Sequence, residues 1–156
     1  GLDDDALDVL DRRRQAYRTH NVFLGVFLDE LSANIEIVGL DLSTYALDHV
    51  MTGLRNRVVQ GTAHRLPFGD GSFDLVLSIN TLHNLDRDAC VEALGEVERV
   101  SRGGRYVQVD SWLNDDQRRN LDLWVLTALT YMDPADWREL FREAGYSGDY
   151  YWTLTE

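Results

Sequence analysis

Gly61-Thr62-Ala63-His64-Arg65-Leu66-Pro67-Phe68, Gly69-Asp70-Gly71-Ser72 and Phe73-Asp74-Leu75-Val76-Leu77-Ser78-Ile79-Asn80 follow one another without a break, and this stretch decides the fold. Its middle four residues are a turn cluster. The run after them is mostly apolar and too short for a core helix, so 73–80 reads as a buried strand. Upstream, Ile35-Glu36-Ile37-Val38-Gly39-Leu40 reads the same way and stops at Asp41-Leu42-Ser43. Ser43 suits the cap of a helix whose apolar points are Ala46, Leu47, Val50 and Met51. Residues 57–60 form another short strand.

Downstream, Asp86 caps a helix that runs to Val100, with Cys90, Val91, Leu94 and Val97 inward. Gly103-Gly104 closes that helix and turns into a strand over 105–110. A helix is expected over 115–131, with Leu121, Trp124, Val125 and Leu129 on one side. Asp133-Pro134 opens a further helix, because Asp caps and Pro fits the first helical position. Trp137, Leu140, Phe141 and Ala144 line its inner face, and Gly145 ends it. A last strand covers 150–155. The segment 3–17 reads as a surface helix, giving an N-terminal helical segment over 1–20 ahead of an α/β domain over 21–156.

Strands and helices alternating in this way imply an α/β fold, a doubly wound and mostly parallel sheet with helices on both faces. Ligands of such sheets sit at the carboxyl ends of the strands. Asp41, 61–66, 80–84 and Asp110-Ser111 are therefore the positions of interest.

The chain has 156 residues and a net charge of −12, with 15 basic and 27 acidic residues, so a polyanionic partner such as nucleic acid or an anionic membrane is disfavoured. Arg12-Arg13-Arg14 reads as the solvated face of the first helix rather than a phosphate grip. Every basic residue is arginine, which removes lysine Schiff-base and lysine general-base chemistry. The single cysteine, Cys90, excludes an intrachain disulfide and makes a cysteine-based zinc site unattractive; no metal is expected. No apolar run approaches the ~20 residues that cross a bilayer. The cytoplasm is the expected compartment, and oligomeric state is left open.

The run 63–80, together with Val38-Gly39-Leu40-Asp41-Leu42-Ser43 upstream and Glu96-Val97-Glu98-Arg99-Val100 with Gly103-Gly104 downstream, resembles the class I S-adenosylmethionine-dependent methyltransferases. The resemblance covers 25–110. It implies a Rossmann-like sheet, S-adenosylmethionine as cofactor and methyl transfer to a small-molecule acceptor. It also implies that Gly25 belongs to the cofactor loop, that Asp41 binds the ribose, and that Leu42 packs near the adenine. Thr62 and Ala63 border that ring, through the Thr62 hydroxyl or the Ala63 backbone. Asn80 lies close to the methionine portion.

Two assignments have rival readings. Asp41 is either the ribose acceptor, an ionised group able to take both hydroxyls, or a helix-capping residue. His83 is either a general base for the acceptor, since histidine titrates near pH 7, or a loop histidine bonded to backbone. Asp110 and Trp112 are expected to contact substrate, in a C-terminal third rich in aromatics. A non-catalytic relative that binds cofactor or a partner is the alternative function. A nicotinamide oxidoreductase would also use Asp41, but Gly-x-Gly-x-x-Gly is missing from the sequence.

One family element is lacking. In His20-Asn21-Val22-Phe23-Leu24, directly before Gly25, there is neither the acidic residue nor the second glycine of the expected loop. Without a first strand its neighbours would stand two spacings apart, about 9.6 Å, too far to hydrogen-bond. Either Asn21 to Leu24 forms a short degenerate strand, or a segment is missing near Leu24-Gly25; the second is the reading adopted.

Overall fold

The computed structural model describes residues 35–50, 52–125 and 128–155. The segment 1–20, Gly25 and the Leu24-Gly25 joint lie outside them. The chain divides into two compact units, 1–62 and 63–156.

In the first unit, β1 (Gly39–Asp41) pairs in parallel with β2 (Val58–Gln60), with Leu40 opposite Val59. The strand is shorter than the apolar run predicted. Ile35 and Val38 are 50% and 40% exposed, so among the described residues they lack the two-sided burial that holds such a run in a sheet. Ser43 caps α1 (Thr44–Asp48) as expected, its Oγ accepting from the Ala46 N–H at 3.3 Å. The helix stops before Val50, and a 3-10 turn over Thr52–Arg57 continues the chain. Val50 and Leu54 still bury, against Ile37 and Val58.

The second unit holds a three-stranded, all-parallel sheet in the order β3 (Phe73–Ile79), β4 (Ser101–Ser111), β5 (Asp149–Leu154). α2 (Arg87–Val100) joins β3 to β4, and its cap Asp86 accepts from the Ala89 N–H at 2.9 Å. α3 (Asp115–Trp124) and α4 (Pro134–Glu143) join β4 to β5. Asp133 caps α4 by accepting from Ala135 and Asp136, and Gly145 follows it with φ +67°. The core cluster places Val107 and Val109 of β4 against Cys90 and Leu94 of α2 and Trp137, Leu140 and Phe141 of α4. Each such side chain contributes about 1.5–3 kcal/mol when fully buried. The other face of the sheet leaves Leu75, Leu77 and Tyr151 exposed among the described residues.

Two expectations need correction. Gly103-Gly104 does not close α2: β4 begins at Ser101, directly after the helix, and both glycines lie inside the strand. They answer to close packing. A Cβ on Gly103 would stand 2.3 Å from the Asp74 carbonyl oxygen, and one on Gly104 would stand 2.9 Å from Leu75 Cδ1. The β3–β4 register shifts at this point. Nor does the helix of 115–131 reach its expected end; it stops at Trp124. The Leu129 and Thr130 N–H groups instead donate to the His83 carbonyl at 2.8 and 3.0 Å, and Leu129 is exposed rather than inward.

Candidate functional site

In the first unit, Asp41 ends β1. Its Oδ1 accepts from the Ser43 N–H at 2.7 Å, a bond within the turn; the helix cap is Ser43 and not Asp41. Oδ2 has no partner among the described residues. Leu42 beside it is exposed, and its carbonyl accepts from Gln60 Nε2 at 3.3 Å. Thr62 is half-buried at the end of this unit.

In the second unit, Ala63 packs against the core cluster. The loop after it is fastened to α2. Arg99 donates to the Leu66 and Phe68 carbonyls, to Asp70 and to Glu96, while Glu96 Oε2 accepts from the Leu66 N–H at 2.7 Å. The Arg99 guanidinium holds the Glu96 carboxyl below its ordinary value of 4.5.

Asn80 follows β3 with φ 49°, a left-handed conformation that asparagine tolerates better than most residues. The chain swings here out of the sheet into a 3-10 turn over Leu82–Asn84. Leu82 is fully buried in the core cluster and anchors that turn. Its carbonyl accepts from the Cys90 thiol at 3.1 Å, and burial pushes that thiol up to about 11. The turn therefore holds the next residue, His83, at the carboxyl edge of the sheet.

His83 Nδ1 lies 2.9 Å from Asp110 Oδ2, at contact distance but off hydrogen-bond alignment, and the two side chains are 12% and 13% exposed. Asp110 sits near the end of β4, where its own carbonyl accepts from Trp137 Nε1 at 3.0 Å. The structure thus joins a residue expected to act as base to one expected to contact substrate.

Two residues at this edge went unnoticed in the sequence, Gln108 and Thr153. Gln108 Nε2 donates to Thr153 Oγ1 at 3.0 Å, and Thr153 Oγ1 donates to Asn80 Oδ1 at 3.2 Å. This chain ties the tip of β3 across β4 to β5. A glutamine between Val107 and Val109 was the available signal.

Trp112 lies just beyond β4. Its ring meets Tyr131 edge-on at 5.9 Å between centroids, and the Arg118 guanidinium sits 5.3 Å from its centre. It lines an open cleft of about 490 Å³ together with Trp152, Pro134 and Arg138. Tyr146, Tyr150 and Trp152 gather round Phe141; Tyr146 and Trp152 pack against the core, while Tyr150 is exposed. Among the described residues, no group of three or more His, Cys, Asp or Glu could hold a metal ion. No helix among them is long and apolar enough to cross a membrane.

Residues 24–108 match the family model described as a methyltransferase domain. The chain belongs to the methyltransferase-domain family. It is 31% identical over 123 residues to YafE of Escherichia coli, covering 69% of this chain and 58% of that protein. It is 37% identical over 87 residues to the Synechocystis methyltransferase sll0829, covering 54% of this chain and 40% of that one. It therefore spans only about half the length of these curated relatives. The solved structure of YcgJ from Bacillus subtilis shares the fold, with a TM-score of 0.54 at 22% identity over 70% of this chain and 51% of the other. The α/β layering, parallel pairing and crossover helices described above are those of a class I methyltransferase domain, as the sequence led us to expect.

Proposed function

We propose that the protein uses S-adenosylmethionine to methylate a small molecule in the cytoplasm. The observation that carries this is the strand-end carboxylate of Asp41 within a methyltransferase domain. Its Oδ1 accepts from the Ser43 N–H, and its Oδ2, without a partner among the described residues, is the acceptor offered to a ligand hydroxyl. Gly25, Asp41, Leu42, Thr62, Ala63 and Asn80 would hold the cofactor. When bound, that cofactor supplies a methyl group activated on a sulfonium.

The rest of the work belongs to the chain. His83 takes the proton from the acceptor's oxygen or nitrogen, and a positioned base of this kind contributes about 10²–10⁴ in rate. Trp112 offers an apolar wall beside the acceptor and keeps water away. The acidic balance of the chain disfavours nucleic acid as acceptor.

Calorimetry with S-adenosylhomocysteine tests the reading. Asp41→Ala should weaken binding by about 1.5–3 kcal/mol for each charged hydrogen bond lost. Unchanged affinity in a folded variant would refute the assignment. Turnover against a panel of small hydroxylated and amino compounds, followed by release of S-adenosylhomocysteine, tests the activity itself.

A further inference from the structure

We infer that Asp110 is a positioning residue, which fixes the proton of His83 on Nδ1 and leaves Nε2 as the basic nitrogen of the site. This rests on the reading of His83 as the base and changes the part given to Asp110, which acts through the imidazole and not on the acceptor.

Three observations carry it. First, Nδ1 of His83 is buried from solvent and makes no aligned hydrogen bond, and Asp110 Oδ2 is 2.9 Å away. Leaving a buried ring nitrogen unmatched is costly, so a small turn of the ring onto this carboxylate is favoured. Bonds of this kind are often poorly aligned in a ligand-free enzyme and tighten when substrate binds. Second, a carboxylate can only accept, so the nitrogen facing it must carry the hydrogen. The other nitrogen then holds the lone pair, because the hydrogen bond made by one ring nitrogen sets the state of its neighbour. Third, both backbones are clamped from outside the pair. Leu129 and Thr130 donate to the His83 carbonyl, and the Trp137 indole donates to the Asp110 carbonyl. The spacing of the pair is therefore set by the core and by the segment before α4 rather than by the pair's own attraction. A histidine held by a largely buried carboxylate in this fashion keeps the tautomer and orientation needed to take a proton and stabilises the imidazolium that results.

Nitrogen-15 NMR of the imidazoles in the full chain tests this without any acceptor. Spectra are recorded at a pH where the rings are neutral, and the His83 signal is assigned by its loss in His83→Gln. The wild-type protein should show the Nδ1–H tautomer at His83. Asp110→Ala should convert most of that signal to the Nε2–H form, and Asp110→Glu should restore much of it. S-adenosylhomocysteine affinity in both Asp110 variants should stay within about twofold of wild type. An Nε2–H tautomer in the wild-type protein overturns the proposal, and needs no variant to fold. An unchanged tautomer in Asp110→Ala overturns it as well. Should the Nδ1–H tautomer and its dependence on Asp110 hold while His83→Gln turns over substrate at the wild-type rate, the pairing stands and the base reading of His83 falls.

Discussion

Gly103→Ala and Gly95→Ala make the same chemical change in the same unit and are expected to move stability in opposite directions. At Gly103 the new methyl would stand 2.3 Å from the Asp74 carbonyl oxygen and 3.2 Å from its carbon. Both atoms are backbone, so no side chain can rotate away, and β3 and β4 must separate or slip. Overpacking of this kind costs about 1–3 kcal/mol; because the obstacle is rigid, the upper half of that range is expected. Gly95 lies within α2, and a methyl added there meets nothing within 4 Å. Alanine is better than glycine in a helix interior by about 0.8–1.0 kcal/mol, which appears here as a gain. Urea denaturation followed by circular dichroism gives both numbers. With about 2–4 °C per kcal/mol for a domain of this size, melting temperatures should fall by several degrees for Gly103→Ala and rise by a few for Gly95→Ala. If Gly103→Ala is neutral or stabilising, close approach of the strands is not why glycine stands there.

Three further outcomes can be checked. Arg99→Ala should release the loop from Leu66 to Asp70, seen as faster amide exchange and proteolysis there while α2 keeps its protection. Because Arg99 holds the Glu96 carboxyl below 4.5, the contribution of that pair is present above the ordinary carboxylate range. It is lost as pH falls through the lowered native value, so the loop's protection factors, taken against the intrinsic exchange rate at each pH, should fall in acid; protection that is insensitive to pH below 4.5 would refute the latch. Cys90, buried with its thiol pushed up to about 11, should resist iodoacetamide at pH 8 in the native protein and react at once in denaturant.

What the sequence showed clearly was whatever its own neighbourhood determines. Ser43, Asp86 and Asp133 are caps because their side chains reach N–H groups two or three residues on, so a short window contains the whole signal. The strand at Phe73 and the buried face of α4 follow from composition and spacing in the same way. Distant partners decided the rest. The helix beginning at Asp115 ends early where the Leu129 and Thr130 N–H groups serve the His83 carbonyl, a competitor far away in sequence. The glycine pair at 103–104 looks like a turn until β3 lies against it. His83 and Asp110 were each singled out, but nothing in the sequence announced that they face one another. Gln108 and Thr153 were missed because a polar residue in a strand has meaning only once its neighbours across the sheet are known.

The all-parallel pairing of β3, β4 and β5 bears on how the protein reaches its native state. None of these strands meets a neighbour through a hairpin; each pairing waits for an intervening helix to be threaded across. The turn carrying His83 waits longer still, since its carbonyl is satisfied only when Leu129 and Thr130 arrive. Such distant closures are slow relative to local ones. The edge carrying His83 should therefore be among the last parts to consolidate, and a nascent chain emerging only as far as β4 would already hold both His83 and Asp110 without the clamps that fix them.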